Sequence, residues 1–544
     1  MFRPSQSALQ RYKVRRGASP AVACHHTNWP LLAVLAVIPV LIYALVHRAQ
    51  GPSSAPLDLT YELDLGAAPR GELGVTLMVT GSLPEHLEIG LAPTSFSGAD
   101  PLHRIVRFTA WELDDGGIRL RELPSRRTAD TWQIDSRGVA RLAVSYRVLL
   151  PVVSRGQGDI RHHISAPVDG GVRAAGFEVF LQPQPFAGGD ITVAVHNPLA
   201  LTFLSPWPAL VRSDGAIAAP HPETGRASVA SGLGYRPFDG DKIPRATAST
   251  DPTAAPVPSN LLFHPRDLAD MGNALLACGN LRTAVTQARG TVIQLGTDRD
   301  WPFTLADACD LAAAIARTEI GFFGGAPSNQ ITILLAANDI TAAGGFDAYG
   351  LHTGSSVLVL LNPATTPEQL HEDVASIIAH EMFHGWLGEA IPQTDPETLW
   401  FTEGMATWFA ARMLHACGIW TPAHAREVLA DRLSRNYAES PLLGRMSVAG
   451  AAAEVMASPE QVRFAYAGGV AACIALERRL AARSGMMQPL DEVLRVLFDR
   501  YRDRPLSREN LVQVIHEVTG VDCALWLDSY VYGTSALPPV EQLI

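Results

Sequence analysis

Two histidines four residues apart, with a glutamate beside the first, break into an apolar run: His380, Glu381 and His384 sit in IIAHEMFHGWLGEA, residues 377–390. On a helix, positions i and i+4 lie one above the other on a single face. Two imidazoles so placed can grip one metal ion. Glu381 borders that face and can reach a water held by the ion. This is the HExxH pattern of zinc hydrolases. Five residues alone recur by chance, and a catalytic zinc takes three protein ligands while keeping a position open. A third candidate follows at Glu403, which interrupts the apolar run TLWFTEGMATWFA, with 18 residues between it and His384. A carboxylate buried in such a run needs a partner, and a metal ion is one.

The elements that must position these groups are also legible. Thr366 can cap a helix, Pro367 suits its first position, and Gln369 stands at the reciprocal capping position. The apolar positions Leu370, Val374, Ile377 and Ile378 carry that helix onward, and the pattern predicts it to about Leu387. IPQTDPE supplies a turn, and Thr398–Ala410 returns as an antiparallel helix bringing Glu403 back. Upstream, TVIQL, QITILLAAN and SSVLVLLN read as strands and TLADACDLAAAIARTEIGFFGG as a helix ending in glycines. From Leu57 to about Arg236 short alternating runs predict a β-sandwich-like module, including LDLTYELDL, GVTLMVTG and GFEVFLQP, with a hairpin at Asp114–Gly117. His162 and His163 fall there as loop residues with no partner motif.

The motif set resembles the gluzincin metallopeptidases, whose pattern is HExxH followed by W-x-x-E-G. HEMFHGW, the 18-residue spacing and LWFTEGMATWF carry the likeness. Within that clan the chain looks closest to the glycyl aminopeptidase family, as a member without a PDZ domain. Aminopeptidase N is a more distant cousin. The β-rich first half and the closing G-x-D…YVYGTSALP, Gly520 to Pro538, point the same way. The resemblance implies a thermolysin-like α/β and mostly α-helical catalytic domain, a Zn2+ cofactor held by His380, His384 and Glu403, and Glu381 as general base. It implies a tyrosine donor to the oxyanion, here Tyr466, with Gly468 and Gly469 close behind. SSVLVLL is then the edge strand that pairs with the peptide backbone. The chain departs from the family at Gly350-Leu351-His352, where aminopeptidases place a Glu for the substrate's amine. Asp347 is the nearby replacement, and Leu387 stands where an Asn usually follows the Trp.

Charge completes the outline. The chain of 544 residues is 47% hydrophobic with net charge -11, a balance that excludes a nucleic-acid binder. Residues 1–28 hold five basic residues and no acid, and Trp29–Val46 is uncharged and long enough to span a bilayer. The flank keeps the N-terminus cytoplasmic. The expected organisation is a cytoplasmic basic segment (1–28), a transmembrane anchor (29–46), a β-rich domain (57–243), a linker (244–260) and a catalytic domain (261–544), helical from about residue 367. The protein is then single-pass in an inner or plasma membrane, with its catalytic domain extracytoplasmic and a peptide or protein as substrate. Of the six cysteines, Cys24 is cytoplasmic and the other five suit core positions. Two rivals share these residues: a membrane-anchored binding protein with a structural or degenerate metal site, and a zinc hydrolase of a non-peptide substrate. Retention of Glu381 argues against the first.

Overall fold

A computed structural model describes residues 56–92, 101–150, 163–209, 260–338, 348–393, 395–454 and 457–544, with strand pieces at 212–213, 216–217 and 247–248. The predicted anchor Trp29–Val46, most of the 244–260 segment, His162 and Asp347 lie outside the described residues. Among those described, no helix is long and apolar enough to cross a membrane.

The first half is built on alternation. In Leu57–Asp64 the buried positions are Leu57, Leu59, Tyr61 and Leu63, the period-two pattern of a half-buried strand. That strand pairs with Glu72–Gly81 on one side and runs parallel to Ile191–His196 on the other. The seven-stranded sheet continues through Arg141–Leu149, Ile105–Leu113 and Arg119–Glu122 at one edge, and ends with Asn260–Phe263 at the other. Two four-stranded sheets complete the module. The Asp114–Gly117 turn closes as expected: Gly117 is left-handed and Asp114 N–H donates to the Ile118 carbonyl at 3.0 Å. GFEVFLQP differs from its strand reading. Residues Gly176–Val179 form one helical turn, because Gly176 lies hard against the Met271 carbonyl and its N–H donates to Ala274. Asn260–Phe263 and Leu275–Gly279 pair with first-half strands, so the chain leaves those layers only after Gly279.

The second half opens with a mixed sheet. Strand β1 (Arg282–Ala288) forms a hairpin with β2 (Thr291–Thr297), which runs parallel to β3 (Gln330–Ala337) after a crossover helix α1 (Leu305–Phe323). Thr304 caps α1 and Gly324, at φ 75°, ends it. β4 (Tyr349–Thr353) and β5 (Ser356–Leu361) complete the sheet, with β5 between β3 and β4. This corrects the expectation for SSVLVLL. Ser356–Leu361 is an interior strand, buried at every residue, and the edge is Tyr349–Thr353. A run apolar on both faces is what an interior strand requires.

Helices follow. The Thr366–Gln369 capping box is present in full, Leu370–Val374 forms a π-helical turn, and α2 (Ala375–Phe383) carries the motif. The helix stops at His384 rather than near Leu387. Gly385 packs on Pro327 and Gly388 takes φ 143°, turning the chain away. α3 (Leu399–Ala416) packs against α2, α4 (Pro422–Leu433) follows, and α5 (Pro459–Ser484) packs against α3. The closing segment straps these together: Tyr532 Oη donates to the Glu397 carbonyl at 3.3 Å, and Leu537 N–H donates to Tyr437 Oη at 3.1 Å. Cys278, Cys309, Cys473 and Cys523 are buried and unbridged. The two halves keep separate apolar cores, joined by a smaller cluster around Leu204, Leu275, Leu351 and Leu358.

Candidate metal centre

Helices α2 and α3 bring the three sequence-predicted ligands together. His380, His384 and Glu403 are buried, and one donor atom from each lies within 4.8 Å of the others. The two Nε2 atoms are 3.1 Å apart. Glu403 Oε2 lies 3.2 Å from His380 Nε2 and 3.7 Å from His384 Nε2. The unused ring nitrogens are held from behind. His384 Nδ1 is 3.2 Å from the Leu387 carbonyl, which can only accept, so Nδ1 donates there and Nε2 is the nitrogen turned toward the other two donors. His380 Nδ1 is 3.3 Å from Thr407 Oγ1. Thr407 stands one turn after Glu403, so α3 supplies both a ligand and the support for another.

A second device fixes Glu403. Its neighbour Gly404 meets Gly469 of α5 backbone to backbone: a Cβ on Gly404 would fall 2.3 Å from the Gly469 carbonyl carbon. Only glycine permits that approach. It draws α5 close enough for Tyr466, three residues before Gly469, to lay its ring along His380, centroids 6.1 Å apart and 19° from parallel. Burial first, then the Glu403 and Glu381 charges, raise the Tyr466 hydroxyl well above its ordinary pKa, so it stays a donor.

Glu381 is fully buried and neither carboxylate oxygen has a hydrogen-bond partner. Such a group costs stability unless something outside the chain satisfies it. Burial pushes its pKa up to about 8, with Glu403 adding and His384 opposing. Glu403 goes the other way. Burial opposes its charge, yet the two imidazoles hold it down at about 2. The edge strand closes over this group: a Cβ on Gly350 would come 2.5 Å from Glu381 Oε1.

Sequence reasoning missed two contributors. Thr407 carried a signal, its spacing of four from Glu403. His352, noted in the sequence only as part of the Gly350-Leu351-His352 departure, lies in β4, buried, with its ring centroid 6.2 Å from that of His384 and neither nitrogen hydrogen-bonded among the described residues. Burial first, then His384, lowers it to about 3 and keeps it neutral. It is not one of the three clustered donors.

The donor set fits zinc: two imidazoles and one carboxylate that they hold ionised, buried and convergent.

Residues 325–530 match the peptidase family M1 domain. The His–His–Glu cluster falls within the matched part of the chain. Curated relatives include aminopeptidase M1-C of Oryza sativa subsp. japonica, 35% identical over 69 residues (13% of this chain, 8% of that protein). Aminopeptidase N of Lactobacillus delbrueckii subsp. lactis is 26% identical over 136 residues (24% and 16%). The matched stretches thus span less than a fifth of those relatives. A crystal structure of an aminopeptidase N family protein from Idiomarina loihiensis matches with TM-score 0.67 at 17% identity, over 89% of this chain and 78% of that one. That likeness is one of fold. The matches run to aminopeptidase N, the more distant of the two resemblances drawn from the motifs.

Proposed function

We propose that the protein is a zinc metallopeptidase hydrolysing peptide bonds, with His380, His384 and Glu403 as metal ligands. The observation that carries this reading is the convergence of three buried donors beside an unpartnered carboxylate, Glu381. A structural metal site has no use for that carboxylate. Zinc held there would supply Lewis acidity, drawing the pKa of a bound water down toward neutrality. Glu381 takes a proton from the attacking water and passes it to the leaving amine nitrogen as the C–N bond breaks. Tyr466 donates its hydroxyl hydrogen to the carbonyl oxygen while negative charge grows there. Gly350, lacking a side chain, leaves Glu381 in place under the edge strand.

Aminopeptidase action is the mode we favour, supported by the likeness to aminopeptidase M1-C and aminopeptidase N. The affinity to glycyl aminopeptidases rests on the β-rich half and the Gly520–Pro538 pattern. Tethering by Trp29–Val46 rests on the basic flank and uncharged span, and membrane fractionation of the full chain after alkaline extraction tests it.

Replacing Glu381 by Gln tests the enzymatic reading. Hydrolysis of a peptide library should fall by about 100-fold or more, while zinc content per chain stays that of the wild type. A variant that cleaves as well as wild type overturns the role of Glu381.

A further inference from the structure

The outer face of the seven-stranded sheet is concave and holds a groove of about 780 Å³ whose wall includes Asp64, Thr76, Arg107, Arg147 and His196. Strand register orders its charges. One cross-strand row reads His196, Asp64, Gly74, Arg147. The next reads Glu62, Thr76, Ser145. Acids therefore stand on Leu57–Asp64, Gly74 and Thr76 on the strand between, and arginines beyond, where Arg147 is ion-paired with Glu72 at the start of the middle strand. Arg119 reaches in from the edge to donate to Ser145 Oγ at 3.1 Å. The floor is glycine and hydroxyl, so nothing bulky separates the two poles.

Arg107 gives the second, independent sign. It sits where the pairing of Ile105–Leu113 with Arg141–Leu149 slips, and its φ is 56°. A bulge re-aims a side chain, and a left-handed arginine is strained where glycine would be at ease. The strain brings an exposed guanidinium to the basic side of the groove. Strands are spaced by about 4.8 Å, so Asp64 and Arg147 are roughly 10 Å apart across two steps, and Arg107 lies roughly 14 Å from Asp64. An extended chain rises about 3.3 Å per residue, which places the terminal charges of a tri- or tetrapeptide at that separation.

We infer that this groove binds short zwitterionic peptides, ammonium toward Glu62 and Asp64, carboxylate toward the exposed Arg107, since Arg147 is held by Glu72. The site is separate from the metal centre and does not depend on the peptidase reading.

Calorimetric titration of the full chain, stripped of metal so that no peptide is turned over, tests it with tetraglycine and with N-acetyl-tetraglycine amide. Tetraglycine should bind, and the capped peptide should bind at least about tenfold more weakly, since charged hydrogen bonds are lost at both ends. Arg107→Gly should weaken tetraglycine by about tenfold while keeping or raising the melting temperature, because glycine accepts the left-handed backbone. Asp64→Asn, which keeps the acceptor for the Gly66 N–H, should weaken it similarly. Absence of binding, equal binding of the capped peptide, or unchanged binding by both variants overturns the inference. Loss of hydrolysis at the metal centre leaves these readings untouched, so the two proposals fail separately.

Discussion

Glu381 and Glu403 are buried carboxylates beside the same imidazoles, and their surroundings drive them apart. One is pushed up to about 8 and the other held down at about 2, a separation that suits the proposed roles of base and ligand. In metal-free protein this has a measurable sign. A carboxyl raised from an ordinary 4.5 to about 8 contributes its stability fully below pH 4.5 and loses it as pH rises through 8. Asp373, Glu389 and Glu477, each raised to about 7, add a common slope. The melting temperature of chelated wild type should therefore fall more steeply from pH 4.5 to 8 than that of chelated Glu381→Gln, and equal slopes would refute the burial argument. Tyr466→Phe removes one oxyanion donor. It should lower kcat by about 100- to 1,000-fold with little change in KM, read by steady-state kinetics. The ligand trio was legible because helical periodicity fixes what spacing brings together. His352 was not, because its meaning depends on which strand forms the sheet edge.

At the scale of elements, the Gly404–Gly469 contact ties metal and oxyanion groups into one unit. Gly404→Ala forces α3 and α5 apart and should cost about 1–3 kcal/mol, lowering zinc affinity and kcat together. Equilibrium zinc titration alongside kinetics checks that coupling. Thr366→Ala removes half of the capping box and should cost about 1 kcal/mol without altering zinc affinity, since α2 is held by its own packing. Cap and helix start were readable from Thr366, Pro367 and Gln369. The π-helical turn and the stop at His384 were not, because packing of Gly385 on Pro327 decides them. The interior place of β5 was written in its unbroken apolar run, whereas its supposed edge position came from resemblance.

At the scale of the whole molecule, the described residues form two cores and a smaller bridging cluster, so unfolding should show more than one transition. Zinc at 100 times its Kd should stabilise the catalytic core by about 2.7 kcal/mol. Scanning calorimetry with and without metal should move that transition and leave the β-rich one in place. The alternation that built the first half was plain in the sequence. Its reach to Gly279 was not, since pairing partners far along the chain set it. Finally, His380, His384 and Glu403 expose no more than 7% of their surface. An ion lodged among them meets little solvent, so its exchange should be slower than mixing. The metal content of a preparation would then lag behind a change of buffer, and chelation would take prolonged incubation.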